Sequence, residues 1–100
     1  MGKMTIDAIP QSLIYKYNSV MAGHETFGYS YGDKMMCRLD TNGSNRNFDP
    51  SGAFPDLFKV EIVNVGAEII TFDSGGIAST VGAGLLGLFY YSVSAGGWLG

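Results

Sequence analysis

Phe58-Lys59-Val60-Glu61-Ile62 opens the stretch that decides the fold, a series of short segments running on to Trp98. Apolar and charged residues alternate there with period two, the mark of a strand half buried against a core. Val65-Gly66-Ala67 interrupts, and Glu68-Ile69-Ile70-Thr71-Phe72 resumes with β-branched and aromatic residues, which suit a pleated surface. Asp73-Ser74-Gly75-Gly76 is turn chemistry, because glycine reaches positive φ freely and Asp or Ser caps the bend. Ile77-Ala78-Ser79-Thr80-Val81 follows, then a glycine break, then Leu85 to Val93 and the closing Ala95-Gly96-Gly97-Trp98. The pattern predicts strands throughout.

Composition agrees. One hundred residues make one small domain with one core. Fifteen glycines are too many for a helical protein, since each costs about 1 kcal/mol relative to alanine inside a helix. With 46% apolar residues the chain is too hydrophobic for a disordered segment. The expected class is all-β, a small antiparallel β-sandwich or barrel with an extended N-terminal arm. The net charge is −3 and the six Lys and Arg are dispersed, which argues against nucleic acid as a partner.

Upstream, residues 1–12 read as the arm and 13–100 as the single β-domain. Met4, Ile6 and Ile9 have no pattern that would bury them locally, and Pro10 removes a backbone donor. They are therefore candidate interface residues, ordered against another chain. Leu13 to Tyr17 is an expected strand, with a short amphipathic helix from Pro10 the alternative because Leu13, Ile14 and Tyr17 also fit helical spacing, and Ala22-Gly23-His24-Glu25 is a loop. Thr26 to Tyr31 and Met35 to Leu39 both alternate and form the best hairpin candidate. Asp40 to Gly52 reads as a long polar excursion with Phe48 its only apolar anchor. No internal repeat divides the chain, and no secretory signal is visible, so synthesis in a reducing cytoplasm is expected.

Chemical motifs are sparse. His24 beside Glu25 is the single His–carboxylate pair, too few groups for a metal site or a catalytic triad. Cys37, next to Met35 and Met36, reads as a small buried hydrophobe. Asp40, Asn42, Asn45 and Asp49 offer oxygens for Ca²⁺ but lack the spacing of an EF-hand loop. The turn at Asp73 has neither the Lys nor the following helix of a phosphate cradle. No catalytic residue, metal ligand or cofactor site is assigned, and the expectation is a protein that is not an enzyme.

Residues 74 to 100 carry no charge and are long enough to span a bilayer. Their serines, their glycines and the lack of flanking Lys or Arg count against a membrane segment, which stays an alternative. Read as a strand, Leu85 to Val93 is apolar on both faces: Leu85, Phe89, Tyr91 and Val93 lie on one, Leu86, Leu88 and Tyr90 on the other. The second face is covered either by the N-terminal arm or by another subunit. Large amphipathic aromatics suit the latter, so Leu86, Leu88, Tyr90 and Trp98 join the candidate interface. A carbohydrate-binding module, with Tyr29, Tyr31 and Trp98 as stacking platforms, is a further alternative.

The strand ending in Asn64-Val65-Gly66, the strand Ile69-Ile70-Thr71-Phe72, the Gly-rich turn, the long strand and Gly96-Gly97-Trp98 together resemble the small β-modules of tailed-bacteriophage virion proteins. The resemblance covers about residues 57–98. It implies a non-enzymatic structural protein of the virion: a capsid decoration (cement) protein, or alternatively a fibre or tail-tip component. Its implied partners are the major capsid protein and copies of itself, as a homotrimer. Modules of this kind continue with another strand after the Trp, whereas this sequence stops at Gly100, which points toward a small accessory protein rather than a long fibre.

Overall fold

A computed structural model describes residues 17–100, and among them there are nine strands and no helix. In chain order these are β1 (Tyr17–Val20), β2 (Glu25–Phe27), β3 (Lys34–Asp40), β4 (Arg46–Pro50), β5 (Lys59–Asn64), β6 (Ile70–Asp73), β7 (Ala78–Val81), β8 (Leu86–Ser92) and β9 (Gly97–Leu99). The all-β expectation holds. The arm with Met4, Ile6 and Ile9 lies outside the described residues, as does the strand expected from Leu13, except for Tyr17.

Two mixed sheets form, one ordered β1-β3-β5-β8-β9 and the other β2-β4-β6-β7. From β1 to β6 the chain alternates between them, and each strand runs parallel to the one two before it. Only β6–β7, β5–β8 and β8–β9 are antiparallel. This corrects the antiparallel reading. Parallel neighbours need a crossover, and here each crossover is itself a strand of the opposite sheet.

The hairpin expected between Thr26–Tyr31 and Met35–Leu39 does not form. β2 belongs to the four-stranded sheet and β3 to the five-stranded one, and Phe27, Met35, Cys37 and Leu39 are all buried in the core. Alternation identifies the buried face of a strand but not its hydrogen-bonded neighbour. The polar excursion Asp40–Gly52 is likewise corrected, because Arg46–Pro50 is a strand with Phe48 fully buried.

The winding also reveals an internal repeat. Lys34 pairs with Lys59 and Arg46 with Ile70, shifts of 25 and 24 residues. The same spacing sets Phe48-Asp49 against Phe72-Asp73, and both phenylalanines are buried. The Asp49 carboxylate accepts the Asp73 N–H at 3.1 Å, and the Asp73 carboxylate accepts the Gly75 N–H at 2.9 Å. Too few identical residues recur for the repeat to stand out in the sequence.

Polar side chains tie successive coils together at the corners. The buried Asn64 donates from Nδ2 to the Glu68 and Val81 carbonyls at 2.7 and 2.9 Å, and its Oδ1 accepts the Gly66 N–H at 3.0 Å. The buried Thr41 hydroxyl accepts the Glu68 N–H at 3.2 Å. Nearer the loop tips, Asn45 Oδ1 accepts the Ile69 N–H and His24 Nδ1 the Asn47 N–H. Among the described residues no buried side-chain nitrogen or oxygen lacks a partner, as a buried polar corner requires.

Between the sheets lies an aromatic core. Phe72 stacks on Phe89 with ring centroids 4.1 Å apart, and Phe27 stacks on Phe48 at 4.6 Å. Trp98 meets Phe54, Phe72 and Tyr91 at steep angles, 4.9, 5.3 and 5.6 Å away. Gly87 makes room for this packing, since a Cβ there would sit 2.4 Å from Val81 Cγ2 and 3.0 Å from the Phe89 ring.

Candidate interaction surfaces

β8 presents two different faces. Phe89 is buried and Tyr91 half-buried on the inner side, packed against the core. Leu86, Leu88 and Tyr90 alternate with them on the outer side, where they are 62%, 49% and 39% exposed. Leu99 on β9 pairs with Tyr90 and is also exposed. On the other flank Leu88 lies opposite Glu61 and Tyr90 opposite Lys59. An apolar stripe thus runs along the outside of the five-stranded sheet beside charged neighbours; Leu85 and Val93, expected on the inner face with Phe89, lie just beyond the ends of β8 and are exposed instead.

Leu57 lies next to this stripe, donating its N–H to the Tyr91 carbonyl at 2.7 Å. Its φ is 62° and its side chain is 64% exposed. A left-handed conformation costs a residue with a Cβ about 1 kcal/mol, and an exposed leucine recovers nothing by burial. Backbone strain combined with an exposed apolar side chain is a feature of binding surfaces.

Of the residues expected at an interface, Leu86, Leu88 and Tyr90 therefore lie on one open face. Trp98 does not join them: it is 7% exposed and sits in the core, because alternation along β9 turns it inward beside Tyr91. The sequence signal was misleading here, since a Trp near a glycine-rich end reads equally well as anchor or core. Leu57 and Leu99 escaped the sequence reading. A positive φ at a leucine leaves no mark in the sequence.

The other candidate groups are engaged in structure. Glu25 accepts hydrogen bonds from the Tyr17 hydroxyl and, at 2.8 Å, from the Ser19 hydroxyl. Burial and this bond to Glu25 raise the Tyr17 pKa well above the ordinary phenol value. Burial pushes the Cys37 thiol up to about 12, so at neutral pH it is a protonated, inert side chain. Asp40 caps its own turn by accepting the Asn42 N–H at 2.9 Å. Asn45 and Asp49, also considered for Ca²⁺, each spend a side-chain oxygen on a backbone N–H of the next coil, and no group of three His, Cys, Asp or Glu side chains that could hold a metal exists among the described residues. Residues 74–100, considered for a membrane span, form β7, β8 and β9, and no described helix is long and apolar enough to cross a bilayer.

At one end of the two sheets a half-open groove of about 550 Å³ lies among three turns. Pro50, Ser74, Gly76 and Gly97 are on its walls, and Tyr91 and Trp98 also line it. Tyr29 and Tyr31 are not part of it: the Tyr29 ring packs edge-on against Phe58 at 5.2 Å and its hydroxyl donates to the Gly32 carbonyl.

Comparison with protein-family models, with curated proteins and with solved structures finds no significant match to this chain.

Proposed function

We propose that this protein is a non-enzymatic structural protein of a tailed-bacteriophage virion, a capsid decoration protein that binds the major capsid protein across capsomers as a homotrimer. The observation that carries the reading is the exposed stripe of Leu86, Leu88, Tyr90 and Leu99 on an otherwise well-packed sheet. The resemblance of residues 57–98 to virion β-modules supplies the identity of the partner. The mechanism is passive. Burying apolar surface stabilises by about 25 cal/mol per Å², and a standard interface of roughly 1,600 Å² leaves a surplus after the cost of association. Spread over many capsomer junctions, that surplus opposes expansion of the shell.

Co-sedimentation with phage heads that lack the protein tests this. The expected result is saturable binding in multiples of three. Leu86→Lys with Leu88→Lys should weaken it tenfold or more while leaving the β-sheet circular dichroism intact, since a lysine at 88 lies opposite Glu61. Failure of the intact protein to bind heads, with a monomer in light scattering, would remove the proposal.

A further inference from the structure

The groove at the turn end is built from two kinds of element. Its walls are small: Gly76 and Gly97 leave backbone within reach of a ligand, and Ser74 spends its hydroxyl inside its own turn, accepting the Ile77 N–H at 3.2 Å. Its aromatic side chains, Tyr91 and Trp98, meet at a steep angle and each carries a polar handle.

Among the described residues neither the Tyr91 hydroxyl nor the Trp98 indole N–H has a hydrogen-bond partner, and neither is a sealed, unsatisfied polar atom. Each therefore keeps some contact with solvent, although Trp98 as a whole is almost entirely buried. A buried indole usually satisfies its N–H within the protein. Here it is left available beside a groove whose volume falls within the roughly 300–1,000 Å³ typical of small-molecule sites.

Among the described residues no charged side chain lines the groove. An anionic or cationic ligand would find no partner there and would lose its hydration without compensation. The fitting ligand is neutral, has an apolar face to lie on an aromatic ring, and carries several groups to meet a donor and a hydroxyl. A pyranose ring has that combination, with C–H groups on its face and hydroxyls around its edge. The three turns bound the groove, which favours a short compact ligand over an extended chain passing through. We propose that this groove binds a short neutral saccharide, with Tyr91 Oη and Trp98 Nε1 as its hydrogen-bonding groups.

Trp98 is the only tryptophan in the chain, so its fluorescence reports directly on the site. The intact protein is titrated with maltotriose, cellotriose and triacetylchitotriose. At least one should give a saturable change in Trp98 emission below about 10 mM, the weak end of specific affinity. Tyr91→Phe keeps the ring and should weaken that binding about fivefold or more. Gly76→Leu should abolish it without moving the melting temperature, because a Cβ at Gly76 meets nothing closer than Ser74 Oγ at 4.0 Å. No saturable response to any of the three, or a response that neither variant alters, overturns the proposal. A response to hexaproline in place of the sugars marks a peptide site and overturns it as well.

Discussion

Gly66 lies so close to Thr41 that a methyl group added to it would come within 2.2 Å of the Thr41 hydroxyl oxygen and 2.5 Å of the Thr41 backbone nitrogen. These residues sit at the same corner of successive coils, and their contact fixes how closely the coils stack. Because one of the two atoms is backbone, a rotamer change cannot relieve the clash. Gly66→Ala should destabilise the fold by about 3 kcal/mol, the upper end of overpacking costs. Thermal unfolding should show a fall of roughly 10 °C or more, and an unchanged midpoint would mean that the corner is loosely packed.

Asn64 supports the same corner from within. Replacing it with Ala leaves the Glu68 and Val81 carbonyls and the Gly66 N–H without their partner. Each buried orphan costs on the order of 1 kcal/mol or more, so Asn64→Ala should lose about 3 kcal/mol in urea unfolding. Asn64→Asp keeps the acceptor but loses both donors and buries a charge, and it should be no better.

Alkaline pH should weaken the protein through Cys37. The unfolded thiol ionises near 9.0, whereas the folded thiol stays protonated to about 12. Its contribution is complete below pH 9 and drains away as pH rises toward 12, at about 1.4 kcal/mol per pH unit. Tyr17, also raised, acts in the same direction above pH 10. Between pH 9 and 10 the decline belongs mainly to the thiol. Cys37→Ala should flatten it there, whatever its cost in packing, and a slope equal to that of the parent protein would contradict the assignment.

Leu57 separates folding from attachment. Leu57→Gly relieves the left-handed strain while making the unfolded chain more flexible, two effects of roughly 1 kcal/mol that oppose each other. The melting temperature should therefore move little. Binding to heads should still weaken, because an exposed apolar side chain beside the β8 stripe is gone. Binding equal to that of the parent protein would take Leu57 out of the interface.

Much of the architecture can be read from period-two alternation. The segments around Val60, Phe72, Val81 and Phe89 are strands, and the turn at Asp73-Ser74-Gly75-Gly76 joins β6 to β7 as its chemistry suggests. Pairing was not legible. Phe27 and Cys37 show only that each faces the core, and parallel neighbours 20 to 25 residues apart leave no turn between them to announce the pairing. β4 was hidden because in Arg46-Asn47-Phe48-Asp49-Pro50 only Phe48 is a core side chain, while Arg46 bonds the Thr41 carbonyl and Asp49 the next coil. The outer stripe of β8 was visible from the excess of apolar residues on both faces. The groove was not, since it is assembled from three turns distant in sequence.

The two styles of pairing also predict an order of assembly. β6 and β7 are joined by a short turn, and once they zip together β5 and β8 are brought side by side around them. That nested pair closes small loops at each step and loses little chain entropy at a time. The parallel strands β3 and β4, then β1 and β2, must each close a longer crossover onto a surface that already exists. The later half of the sequence should thus serve as the template on which the earlier half is laid. Truncations of Phe72 and Phe89 should slow folding, and truncation of Phe27 should chiefly speed unfolding.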